Sequence, residues 1–193
     1  MKEKLRANDV GRLSAVFLVG VLLTVALFYF VLGCGSDWLV IAGLFVDAGG
    51  AGLLAAPDLG WFKSYTYSGQ VKEALDELSG TGDMWVRVEA DWYNAFLEEM
   101  EGVLGTEEIP NSAEFRIERN RNSNLLWYMP DPRNDDVDNK AINLFNVFTP
   151  FRDTVEEEET KVRRYGAYVF IAGIGFQITG LLVDKILFSS IFC

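Results

Sequence analysis

The chain has 193 residues, half of them hydrophobic, with 28 acidic and 17 basic side chains, a net charge of −11 and no histidine. The absence of histidine removes the usual general base, the commonest metal ligand and any Ser-His or Cys-His nucleophilic pair. The two cysteines, Cys34 and Cys193, are too few for a zinc or iron–sulfur site, so no metal and no cofactor is expected.

Residues 2–12 carry Lys2, Lys4, Arg6 and Arg12, and an uninterrupted apolar run follows over 13–32. A run of about 20 apolar residues is the length of a transmembrane helix. This first span is apolar on every face, with Phe28, Tyr29 and Phe30 toward its far end, and is expected to face lipid. Val31-Leu32-Gly33-Cys34 at its end has the pattern of a lipoprotein signal with Cys34 acylated. The apolar run exceeds the core of a signal peptide, and a second span follows at once, which favours an uncleaved membrane helix.

After the turn 33–37, which has no positive charge, residues 38–56 form a second span. Asp47 lies in its middle. An ionisable group at bilayer depth costs about 2.5–3.5 kcal/mol on insertion scales and is normally turned toward a protein partner. Gly43, Asp47, Ala51 and Ala55 fall at i+4 spacing, and Ala48, Gly52 and Ala56 form the next ridge. Small residues so spaced allow close approach of membrane helices.

The segment 60–164 holds 22 acidic and 12 basic residues, a net of −10. A field of that sign repels nucleic acid and anionic head groups, so no nucleic-acid role is expected. It also matches the acidic surface of a salt-adapted protein or a docking face for a basic partner. Beyond Pro57 and the interfacial Trp61, the pattern predicts a helix over 69–79 with Ser68 as N-cap and Gly80 as its stop. Residues 85–88 form a strand or a lead-in. A second helix over 89–104 presents Trp92, Phe96, Met100 and Val103 on one side and ends at Gly105. Alternation of Phe115 and Ile117 with Glu114, Arg116 and Glu118, then Leu125 to Met129 after a turn, predicts a hairpin. The loop 131–139 is acidic but lacks the glycine and closing glutamate of an EF-hand, which leaves a solvated loop. Residues 141–148 suit a strand or a half-buried helix.

From Pro150 the pattern turns helical again, with Asp153 or Thr154 as cap and Glu157/Lys161 and Glu159/Arg163 spaced to pair. This helix is expected to run into a third span over 166–183, extending as far as Phe192. Here Ile171-Ala172-Gly173, Gln177 and Gly180 repeat the spacing of Ile41-Ala42-Gly43, Asp47 and Gly50. Gly175 and Thr179 form a further small pair. Spans two and three run in opposite directions, so Asp47 and Gln177 are expected to face each other. The bland role is a hydrogen bond that fixes helix register, worth about 0.6–2 kcal/mol. The sharper one is a proton or cation site in an oligomeric pore.

The basic N-terminus, Lys63, Lys161, Arg163 and Arg164 put the N-terminus and the acidic segment in the cytoplasm by the positive-inside rule. Cys34 and Cys193 then lie on the outer side, where a disulfide is permitted. The expected fold is an integral membrane α-helical protein with three transmembrane helices and a small α+β cytoplasmic domain inserted between spans two and three. Its parts are a tail and helical hairpin over 1–59, an acidic domain over 60–152 held at the membrane by helices on both sides, and a stalk and third span over 153–193. No phosphate-binding loop, nucleophile elbow or metal-ligand spacing is present. The expectation is a non-catalytic assembly, scaffold or accessory subunit of the cell membrane, with lipid and a homo-oligomeric or membrane-complex partner. The alternative is a small oligomeric ion channel or pore-forming effector with Asp47 and Gln177 lining a polar path.

Overall fold

The computed structural model describes residues 5–32, 37–60, 65–80, 82–106, 108–110, 112–120, 123–132 and 139–191. The protein is mostly helical with one small sheet, and three of its helices are long and apolar enough to cross a membrane, over Ala7–Leu27, Asp37–Asp58 and Leu144–Val183. The chain forms two compact units, one of Met1–Lys63 with Glu158–Cys193, the other of Ser64–Glu157.

In the first unit, helix α1 spans Ala7–Leu32 and α2 spans Asp37–Ala55, ending in a short 3-10 turn, Ala56–Asp58. Leu, Val, Phe and Ala dominate both, and no proline interrupts them before Pro57. The burial pattern inverts the usual one. Val16 and Phe45 are each 70% exposed and Ile171 is 63% exposed, whereas the buried positions of α2 are Gly43, Val46 and Gly50. A large exposed apolar surface is rare on a soluble monomer, and it is compatible with a membrane location.

Buried positions recur at alternating steps of three and four residues, Ala7, Val10 and Ser14 on α1, and Val162, Gly166, Val169 and Gly173 on the later part of the last helix. That spacing keeps one seam facing its neighbours, as in a coiled coil. The Ala7 amide donates to Glu158 Oε2 at 2.7 Å, which satisfies a first-turn N–H and sets a carboxylate at the positive end of α1. Arg163 Nη2 reaches the Asp58 carboxylate at 3.1 Å.

The second unit is an antiparallel meander under helices. Helix α3 spans Tyr67–Ser79, β1 Met84–Trp85, α4 Tyr93–Leu104, β2 Glu114–Asn120, β3 Ser123–Met129 and β4 Lys140–Asn143, and α5 begins at Leu144 and continues to Ile191 in the other unit. The strand order is β1-β2-β3-β4, with Phe115 opposite Tyr128 and Ile117 opposite Leu126. Those four side chains are buried, and Phe96 of α4 and Phe151 of α5 are fully buried with them. The Phe96 and Phe115 rings meet edge to face at 4.9 Å, a favoured aromatic geometry. Burial, and then the Glu114 carboxylate, raise the Tyr93 phenol above its ordinary pKa, and burial raises Tyr128 likewise.

Element ends depart from expectation in three places. The α3 cap is Thr66, whose hydroxyl accepts from the Gly69 amide at 3.3 Å, because Ser68 already lies within the buried first turn. Helix α4 starts at Tyr93 and not at residue 89, since turns closed by Ala90 N to Arg87 O and Tyr93 N to Ala90 O precede it. Helix α5 starts at Leu144 and not after Pro150, with Asn143 Oδ1 accepting from the Phe145 amide at 2.9 Å. Leu144, Val147, Phe151 and Val155 form a buried stripe, and the core it fills outweighs the loss of a donor to the Asn146 carbonyl at Pro150, a cost of about 3 kcal/mol. Thr154 therefore does not cap; its hydroxyl donates to Glu99 Oε2 at 2.9 Å. Gly105 ends α4 as expected, at φ 66° in the left-handed region. Cys34, Cys193, Trp61, Lys63 and positions 133–138 of the acidic loop lie outside the described residues.

Candidate functional site

Asp47 is the only charged side chain within residues 13–32, 38–56 and 166–183. Helices α2 and α5 cross around it at backbone distance, antiparallel, and glycines make the approach possible. A methyl group at Gly43 would lie 2.7 Å from the Gly173 carbonyl oxygen and 3.0 Å from the Gln177 nitrogen. At Gly173 it would lie 2.8 Å from the Asp47 nitrogen, and at Gly50 2.7 Å from the Phe170 Cα. None of these positions admits a side chain without moving a backbone.

Inside this crossing Gln177 Nε2 donates to Asp47 Oδ2. The second carboxylate oxygen, Oδ1, is buried without a hydrogen-bond partner among the described residues and lies against Gly173. A Cα–H···O contact from the glycine is the weak interaction that this placement allows. Gly43, Gly50, Gly173 and Gly180 are all buried.

The structure brings Gly43, Asp47, Gly173 and Gln177 together, but pairs Gly50 differently from the sequence repeat. Gly50 meets Phe170 and Gly166, and a methyl group at Gly166 would lie 2.8 Å from the Leu54 nitrogen and 3.1 Å from the Gly50 carbonyl oxygen. Gly166 is thus a contact residue that the repeat does not mark, although it precedes Gly173 by seven residues on the same seam. The rest of the expected ridges point elsewhere. Ala48, Ala51, Gly52 and Ala55 are exposed, and Gly52 and Gly175 have open space where a side chain would stand. A strict i+4 ridge drifts off the contact face, whereas the alternation of three and four stays on it.

Chemically the site is sparse. One carboxylate accepts one amide hydrogen bond, and the amide does not titrate. The hydroxyls of Ser14, Thr24 and Thr179 are closed onto their own helices, donating to Val10 O, Gly20 O and Gly175 O, each at 2.8 Å. They do not join Asp47 in a polar file. Among the described residues no group of three or more His, Cys, Asp or Glu side chains is placed to hold a metal. Compared with known protein families, curated proteins and solved structures, the chain matches none.

Proposed function

We propose that this chain is a three-span membrane protein with a non-catalytic role as an assembly, scaffold or accessory subunit. The observation that carries the proposal is the engagement of Asp47, the acid midway along α2, by Gln177 at a glycine-lined helix crossing. An acid at bilayer depth, held by a neutral amide where two backbones touch, acts as a polar lock between helices. A second small-residue face, Ala48, Ala51, Gly52 and Ala55, stays exposed on α2, and it is the kind of surface on which another membrane helix packs. The excess of Lys and Arg before span one and around the segment 60–164 favours a cytoplasmic N-terminus and central domain.

A pore is the rival reading, favoured by the unpartnered Asp47 Oδ1. Reconstitution in liposomes separates the two. The lock predicts that wild type and Asp47→Ala pass no more monovalent ions than empty vesicles, and that Asp47→Ala weakens the packing of α2 on α5. Ion flux in the wild type that Asp47→Ala alters while assembly persists would establish the pore instead.

A further inference from the structure

The sheet of the second unit is covered by that unit's helices on one side only. Phe115 of β2 meets Phe96 of α4 edge to face, Arg119 of β2 donates to the Leu78 carbonyl near the end of α3, and Phe151 of α5 joins the same core. Residues 115, 117 and 119 share one face of the strand, so all three helices lie on that side. Residues 114, 116 and 118 face the other way. The strand register fills out this open face, with Trp85, Arg116 and Trp127 in one row across β1, β2 and β3. Glu118 pairs with Leu125 in the row on one side of it, and Glu114 with Met129 in the row on the other.

Trp85 is 52% exposed, and Leu125, Trp127 and Met129 are half-buried. Tryptophan, methionine and arginine are the side chains enriched where proteins meet, and tryptophan is a frequent anchor of binding energy. The polar groups of the face are turned onto its rings. Arg116 Cζ lies 5.7 Å from the centroid of the Trp85 ring, and Trp127 Nε1 donates to Glu118 Oε2 at 2.9 Å. The first contact is a guanidinium held on an indole, a cation–π arrangement that leaves half of Trp85 open to a second cation. The second fixes the Trp127 ring. Glu114 and Glu118 set a carboxylate on each side of the tryptophan row.

Charge selects the partner. Residues 64–157 hold 20 acidic and 8 basic side chains, a net of −12. A field of that sign repels nucleic acid, anionic lipid and a second copy of the same unit, and it draws in a cationic protein.

We infer that this open face, with Trp85, Trp127, Glu114 and Glu118, docks a lysine- and arginine-rich segment of a partner protein. The inference names a partner class for the scaffold role proposed above and rests on that reading. Cationic side chains of the partner stack on the two indoles and pair with the flanking carboxylates. Arg116 is the competitor already in place, and it occupies part of the surface that the partner uses.

The test uses the full chain in a nonionic detergent and a fluorescein-labelled dodecapeptide of alternating arginine and glycine, followed by anisotropy at physiological ionic strength. The wild type should bind it saturably, and should not bind the counterpart of alternating glutamate and glycine. Trp85→Ala should weaken binding about fivefold or more, the ratio that one cation–π contact carries, and Glu114→Gln about twofold to fivefold. Arg116→Ala, which vacates the Trp85 ring and removes the face's own cation, should tighten it. Asp76→Asn, at an exposed position of α3 on the covered side, should leave it unchanged. Absence of saturable binding, no effect of Trp85→Ala, no gain in Arg116→Ala, or a loss in Asp76→Asn equal to that in Glu114→Gln would overturn the inference. Self-association of the wild type that Trp85→Ala abolishes would also overturn it, because a second copy would then hold the face. Ion flux in wild-type liposomes that Asp47→Ala alters would overturn the scaffold reading together with this inference, whereas flux-free liposomes without Trp85-dependent binding overturn this inference only.

Discussion

The two units of this chain bury opposite kinds of residue. The unit of residues 64–157 hides its largest side chains, with Phe96, Phe115, Phe151 and Met100 at 1% exposure or less. Among the described residues, the unit of residues 1–63 and 158–193 buries nothing larger than valine, Gly43, Gly50, Gly166 and Gly173 alongside Val46 and Val169, and turns Val16, Phe45 and Ile171 outward. In water, burial of large apolar surface drives packing. In lipid that drive vanishes, and helices associate through close backbone approach and hydrogen bonds. Polar groups follow the same division. Glu99 in the sheet-bearing unit accepts from both the Tyr67 and Thr154 hydroxyls, at 2.8 and 2.9 Å, and so ties α3, α4 and α5 together. Asp47 accepts a single amide, and its crossing is closed by glycine.

The strongest way to break this contrast is to empty the aromatic core. Phe96 touches the rings of Trp92, Tyr93, Phe115 and Phe151, and Phe96→Ala should cost about 3–5 kcal/mol by the usual range for such truncations. Hydrogen exchange on the full chain should then show protection lost across residues 64–157 and kept across 166–183. Loss confined to 166–183 would invert the account.

A smaller effect sharpens the comparison at the helix crossing. Gly173→Ala puts a methyl group against the Asp47 backbone nitrogen and should cost about 1–3 kcal/mol, as overpacking does. Gly52→Ala and Gly175→Ala, where nothing lies within 4 Å, should be neutral or slightly stabilising, since alanine is the better helix former. Thermal unfolding in detergent measures all three, and equal destabilisation by the three variants would show that the glycines do not act through contact.

Much of this was legible before the structure. Periodicity marks α3, α4 and the β2–β3 hairpin, and Gly105 stands at the left-handed position where a helix ends. The repeated spacing of Gly43, Asp47 and Gly173, Gln177 singles out the residues that the structure brings together. Other features were hidden because tertiary packing decides them. The start of α5 at Leu144 depends on Val147 and Phe151 finding a core, against the local signal of Pro150. The choice of Gly166 over Ala51 as a contact residue depends on which face α2 turns to α5, which neither helix encodes by itself. The capping of the Ala7 amide by Glu158 joins positions 151 residues apart, and a charge run is locally indistinguishable from a solvated face.

Asp47 and Gln177 are each other's partner across the α2–α5 crossing, and a double-mutant cycle measures that coupling directly. Asp47→Ala, Gln177→Ala and the double variant, unfolded reversibly in detergent, should give a coupling of about 0.6–1.7 kcal/mol, the range found for polar pairs between membrane helices. Within that cycle the second substitution should cost less once the first is made. Strict additivity of the two single changes would contradict the lock.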